Sequence, residues 1–171
     1  MKAAEPTQWR YEIDPGFDPE GEVPPFAVRG AWPLNGRGET VGDFLPNPGY
    51  VASPVALMLA VDEDVFTIAW AEHARFALDD SAFADVIRSV AWRGQTNEAG
   101  ELLTFDAGQG PQVRVYSSDR HLEAAGMPSS ARVRGSVLFD LAATGISVEA
   151  NATATHTCFL SAHFLADIAD A

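Results

Sequence analysis

Hydrophobic and polar positions along the chain fall into two regimes that meet near Pro54. From Trp9 to Pro54 the apolar residues keep neither a helical nor a strand period: Trp9, Tyr11, Phe17, Phe26, Trp32, Phe44 and Tyr50 stand among prolines and carboxylates. Each of Pro15, Pro19, Pro24, Pro25, Pro33, Pro46 and Pro48 removes a backbone donor and disfavours helix just before it. The aromatics are nevertheless too many for a solvated tail. Residues 1–54 are therefore expected to form an irregular layer that wraps over a core by its rings, with Trp32 and Tyr50 as anchors.

Past Pro54 the pattern becomes regular. Val65, Phe66, Ala69, Trp70, His73 and Ala74 follow Asp62-Glu63-Asp64 at helical spacing, and leading acids complement the helix dipole, so a helix is predicted near 64–76. Asp79-Asp80-Ser81 opens a second helix through Phe83, Val86, Ile87 and Val90, whose end could already be extended at Val90-Ala91-Trp92. Turns at Asn97-Glu98-Ala99-Gly100 and Gly108-Gln109-Gly110-Pro111 flank the strands Leu102–Phe105 and Val113–Tyr116, which reads as a β-meander. Ser117-Ser118-Asp119 caps a short helix, 120–125, stopped by Gly126 and Pro128. A helix over 137–143, strands over 145–149 and 155–160, and a helix over 162–169 follow. The fold class expected is α+β, mixed α/β, with a central sheet and flanking helices in one domain of 171 residues.

Charge narrows the partners. With 24 acids against 11 bases the formal net charge is -13, a field that repels phosphate backbones and anionic membranes and draws cationic partners inward. Neither nucleic acid nor membrane is expected as a partner. Cys158 is the single cysteine, so no intramolecular disulfide is expected. Met1–Arg10 lacks the apolar core of a signal peptide, and no apolar run is long enough to cross a bilayer. A cytoplasmic protein is the expectation.

Two sets of residues carry a resemblance. Val115-Tyr116-Ser117-Ser118 running into His121-Leu122-Glu123-Ala124-Ala125-Gly126, followed by the late helix, strand and Asn151, resembles the SseB-type domain. Asp14-Pro15, Pro24-Pro25, Val28-Arg29-Gly30-Ala31-Trp32 and Pro46-Asn47-Pro48-Gly49-Tyr50 leading to Ser53-Pro54 are similar to actinobacterial type VII secretion system-associated proteins, which carry both parts in this order. The resemblance implies a layer over 1–54 on an SseB-like core over 55–171, and an association with secretion loci and their toxins in place of a defined activity. After Asn151 the chain departs from it: Ala152-Thr153 replaces an Asn-Pro-Gly turn, so 151–157 is expected to form an exposed loop of its own.

Catalytic and metal chemistry find little footing in the sequence. Ser117, Ser118, Asp119 and His121 lie within one turn, where a triad is seldom assembled, and a helix cap with an exposed histidine accounts for them. His156, Cys158 and His163 match none of the compact ligand pairs of structural zinc. Gly36-Arg37-Gly38 and Gly108-Gln109-Gly110 join no strand to a helix and so lack phosphate-loop geometry. Asp62-Glu63-Asp64 lacks the alternating spacing of a calcium loop. No catalytic residue, metal or cofactor is expected.

What remains is recognition. Glu12, Asp14, Asp18, Glu20 and Glu22 are five acids with no base between them. They read either as a solubilising loop or as a recognition segment. Their interleaving with Tyr11, Ile13, Phe17 and Phe26 favours recognition, because aromatic anchors beside charges give interfaces both affinity and steering. The partner-binding residues expected are Glu12, Asp14, Phe17, Asp18, Glu20, Glu22, Asn151 and Thr153. With the resemblance, these imply a non-enzymatic immunity protein, monomeric alone and heterodimeric with a basic secreted toxin whose cleft it fills. NAD-hydrolysing toxins are the first to consider. A chaperone or adaptor for a secretion substrate, and a small hydrolase using Ser118 or His121, are the alternatives.

Overall fold

The computed structural model describes residues 6–127 and 130–169. Its N-terminal layer carries a sheet of its own, where an irregular path was expected. Strands β1 (Gln8–Ile13), β2 (Val28–Leu34) and β3 (Leu45–Pro46) pair antiparallel in that order. The prolines tolerate this arrangement because the strands are short. Pro33 lies beyond the two residues, Gly30 and Ala31, through which β2 meets β3, so its missing N–H removes no bond from that pairing. Gly30 allows the third strand to approach: a Cβ there would collide with the Leu45 carbonyl and the Phe44 ring. The Phe44 ring in turn lies 5.1 Å from that of Trp32.

Three helices follow, each started by a side-chain oxygen. Ser53 accepts from the Ala56 N–H at the head of α1 (Pro54–Val61), Asp64 from Thr67 in α2 (Val65–Ala74), and Asp79 from Ala82 in α3 (Asp80–Ser89). The α2 and α3 helices stand where the sequence places them, whereas α1 does not show in the pattern.

The rest of the chain builds the central sheet. Strands β4 (Ala91–Gln95), β6 (Pro111–Tyr116), β7 (Ser130–Arg134), β8 (Ser147–Ala150) and β9 (Cys158–Leu160) run in the order β7-β4-β6-β8-β9, and β5 (Thr104–Asp106) also pairs with β6. The meander expected from the turns forms in part: the turn at 97–100 sets Leu102 opposite Thr96 and β5 pairs antiparallel with β6, but β4 also joins β6 directly, so β5 does not lie between them along its length. Among the described strands only β6 and β8 pair in parallel. The connection between them runs through α4 (Asp119–Ala124), β7 and α5 (Gly135–Ala143), and α6 (Ala162–Ala169) closes the chain.

One face of this sheet is the core. Trp92, Val113, Val115, Val133, Val148, Ala150, Cys158 and Leu160 pack there against Phe66, Phe83, Ile87, Leu138, Leu165 and Ile168 of the helices. Alternation along the strands sends Arg93, Arg114, Arg132, Arg134, Glu149 and Phe159 to the other face. The fold is thus α+β, a mixed central sheet with α2, α3, α5 and α6 packed on its core face. No described helix is long and apolar enough to cross a membrane.

Candidate functional site

Asp14 joins the N-terminal layer to the core. It is wholly buried, and its carboxylate accepts from the Gly16 N–H at 2.8 Å, the Tyr50 hydroxyl at 2.8 Å, and both the N–H and the hydroxyl of Ser53. Burial pushes this carboxyl up, but the hydrogen bonds from Ser53, Gly16 and Tyr50 outweigh it and hold the group below its ordinary value of 3.8. Burial and the same bond push the Tyr50 phenol up to about 12. Asp14 is therefore not the exposed recognition carboxylate that its acidic neighbours suggest, because its oxygens are consumed internally.

The neighbouring acids do face solvent. Glu12 is half-exposed and pairs with Arg29 at 3.2 Å. Half-buried Asp18 caps its own turn by accepting from the Glu20 N–H at 2.9 Å, and Glu20 and Glu22 are exposed. Phe17 is half-buried with its ring edge-on to Phe26 at 5.9 Å. The loop is thus held by an Asx turn, a ring pair and the Asp14 anchor. Fixing it beforehand lowers the entropy lost on docking.

Beside this loop, the small sheet has an uncovered apolar face. Tyr11, Ala31 and Leu45 are register partners across its three strands, and Trp9 lies opposite Pro33 on the same face. Tyr11 is 62% exposed, Leu45 53% and Trp9 42%, which places three large apolar side chains together in solvent. Contiguous exposure of this kind marks an interaction surface more often than scattered single residues do. The sequence held the signal in the alternation Trp9, Tyr11, Ile13, but the prolines obscured it.

A second polar cluster sits at the carboxyl ends of the parallel pair. Asn151, just past β8, accepts from the Ser117 N–H at 2.9 Å through Oδ1 and donates to the Ser117 hydroxyl at 2.8 Å through Nδ2. Ser117 Oγ donates to Asp64 Oδ2 at 2.6 Å, and the Nε2 of fully buried His121 lies 3.7 Å from that same oxygen. Burial pulls His121 below its ordinary value, against the opposing charges of Asp64 and Asp62; His156 is lowered by burial and by His121. The order is hydroxyl, carboxylate, imidazole. A serine nucleophile needs the imidazole beside its hydroxyl and the carboxylate behind it, so this arrangement does not activate Ser117.

The other residues singled out in the sequence are dispersed. Ser118 is the N-cap of α4, as expected, whereas His121, expected to be exposed, is buried. The stretch 151–157 is not the exposed loop expected: Asn151, Ala152 and His156 are buried, and the Thr153 N–H donates to the His156 carbonyl at 2.8 Å. Half-buried Thr153 also places its hydroxyl 3.0 Å from His156 Nδ1. Cys158 is buried, which pushes its thiol well up, and His163 lies out in solvent 3.5 Å from Asp167. Among the described residues no group of three histidines, cysteines or acids is placed to hold a metal.

Comparison with known proteins adds no relative. No family model, no curated protein and no solved structure matches the chain.

Proposed function

We propose that this protein is a non-enzymatic binding protein whose N-terminal module docks a basic protein partner, and that it acts as an immunity protein for a toxin exported by a type VII secretion system. The observation that carries the reading is that one N-terminal module holds both the uncovered Trp9–Tyr11–Leu45 face and the exposed carboxylates of Glu20 and Glu22, with half-exposed Glu12 beside them. Aromatic anchors supply affinity on desolvation, and surrounding charge sets orientation and encounter rate. A toxin that acts on an anionic nucleotide such as NAD needs a basic cleft, and an acidic loop complements it.

The polar cluster supports the non-enzymatic part of the reading. Ser117 is spent on Asp64 and Asn151, and the Ser118 hydroxyl accepts from the His121 N–H. The direct test is association kinetics between the purified protein and a candidate basic toxin of a type VII secretion system. The association rate should fall steeply with salt, since exposed charges are screened over about 8 Å at physiological ionic strength. An association rate indifferent to salt contradicts electrostatic docking.

A further inference from the structure

The outward face of the central sheet has a charge balance opposite to that of the whole chain. Two adjoining hollows, of about 280 and 360 Å³, share Ala91 and Arg132 and follow the β4–β7 edge. Their linings hold Arg88, Arg93, Arg132 and Arg134 against one acid, Asp119, in a protein of net charge -13. Arg93 and Arg132 are register partners on adjacent strands. Arg88 is occupied by Asp85 and the Ala169 carbonyl, and Arg93 by Asp119 at 3.1 Å. Arg132 and Arg134 are exposed, and their side chains make no ion pair or hydrogen bond among the described residues.

The backbone here is open as well. Strand β7 is five residues long, and among the described residues it pairs with β4 alone and stands last in the strand order of the sheet. Such an edge offers unpaired N–H and C=O groups to an added strand. Arg132 and Arg134 are two positions apart and point to one face, which matches the side-chain period of an extended peptide.

We infer that the β7 edge binds a short, extended, acidic peptide segment, which adds as a further strand and sets alternate carboxylates against Arg132 and Arg134. Charge selects the class of ligand. A long polyanion would meet the repulsion of the whole molecule, whereas a short segment lies within one screening length of the arginines. This site is on a different sheet from the N-terminal docking face and does not depend on the immunity reading.

The test uses the whole protein, isotope-labelled, titrated with the synthetic peptide Val-Glu-Val-Glu-Val and followed by amide NMR. Signals of β7, not of β9, should move, and affinity should fall about tenfold in R132E/R134E, in keeping with the loss of two exposed charge pairs. R132Q/R134Q, checked by circular dichroism, should show a smaller loss with the fold intact. Val-Lys-Val-Lys-Val and a backbone N-methylated acidic peptide should not bind. Equal binding of the lysine peptide, or of the N-methylated one, overturns the proposal, as does affinity unchanged in R132E/R134E.

Discussion

Ser53 donates its backbone N–H to the Asp14 carboxylate at 2.9 Å, across 39 positions of sequence, while its own hydroxyl caps α1. One residue thus ties the N-terminal sheet to the first helix of the core. Replacing Asp14 by Ala leaves the Ser53 and Gly16 N–H groups without their acceptor in a buried place. Asp14→Ala should cost about 3 kcal/mol, the upper range for hydrogen bonds to a charged group. Urea unfolding of the variant checks this.

The same pair sets an acid limit. The folded carboxyl titrates below the ordinary 3.8, so its contribution is present above that value and lost as pH falls through the folded pKa. Tyr50 gives the opposite limit. Its phenol is raised to about 12 from 10.0, so its contribution is complete below 10.0 and is lost as pH rises towards 12. Tyr50→Phe should cost about 1 kcal/mol near neutrality, the net worth of one hydrogen bond. In an absorbance titration it should also remove a late-ionising phenol.

The histidines predict a further pH dependence. His121 and His156 are held below 6.5 chiefly by burial, so the unfolded chain binds their protons first and stability falls as pH drops below 6.5. His121→Gln, which keeps a polar side chain but cannot titrate there, should flatten that fall. Unfolding midpoints at about pH 7.5 and about pH 5.5 make the comparison.

Asn151 holds the end of the parallel pair in a left-handed conformation, φ 53°, with its amide bonded to Ser117. Asn151→Ala should cost about 2–3 kcal/mol, because it loses the bonds and keeps the strain. Asn151→Gly relieves the strain and should recover part of that loss. Thermal unfolding of the two variants separates the contributions.

Helices with polar starts were legible in the sequence. Asp64 and Asp79 announce α2 and α3 because a carboxylate at the N-cap is a local signal that tertiary context rarely alters. The α1 helix was hidden for the reverse reason: Pro54–Val61 is apolar at every position, so it shows no period, although Ser53-Pro54 is a good helix start. The small sheet was hidden by Pro33 and Pro46, which lie in strands too short to need every backbone donor. The recognition segment was legible in composition but not in detail. Nothing local to Asp14 distinguishes it from Asp18, since its partners Tyr50 and Ser53 come from far along the chain.

Growth rescue tests docking through the N-terminal module most directly. Cells expressing the cognate toxin of the proposal are given either the wild-type protein or a variant carrying Tyr11→Ser, Leu45→Ser, Glu20→Gln and Glu22→Gln, with folding verified by circular dichroism. These four side chains are exposed, so the variant should fold. Wild type should restore growth and the folded variant should not, because losing anchors and charges together costs several kcal/mol of binding. Rescue by the variant at the wild-type level would contradict the account.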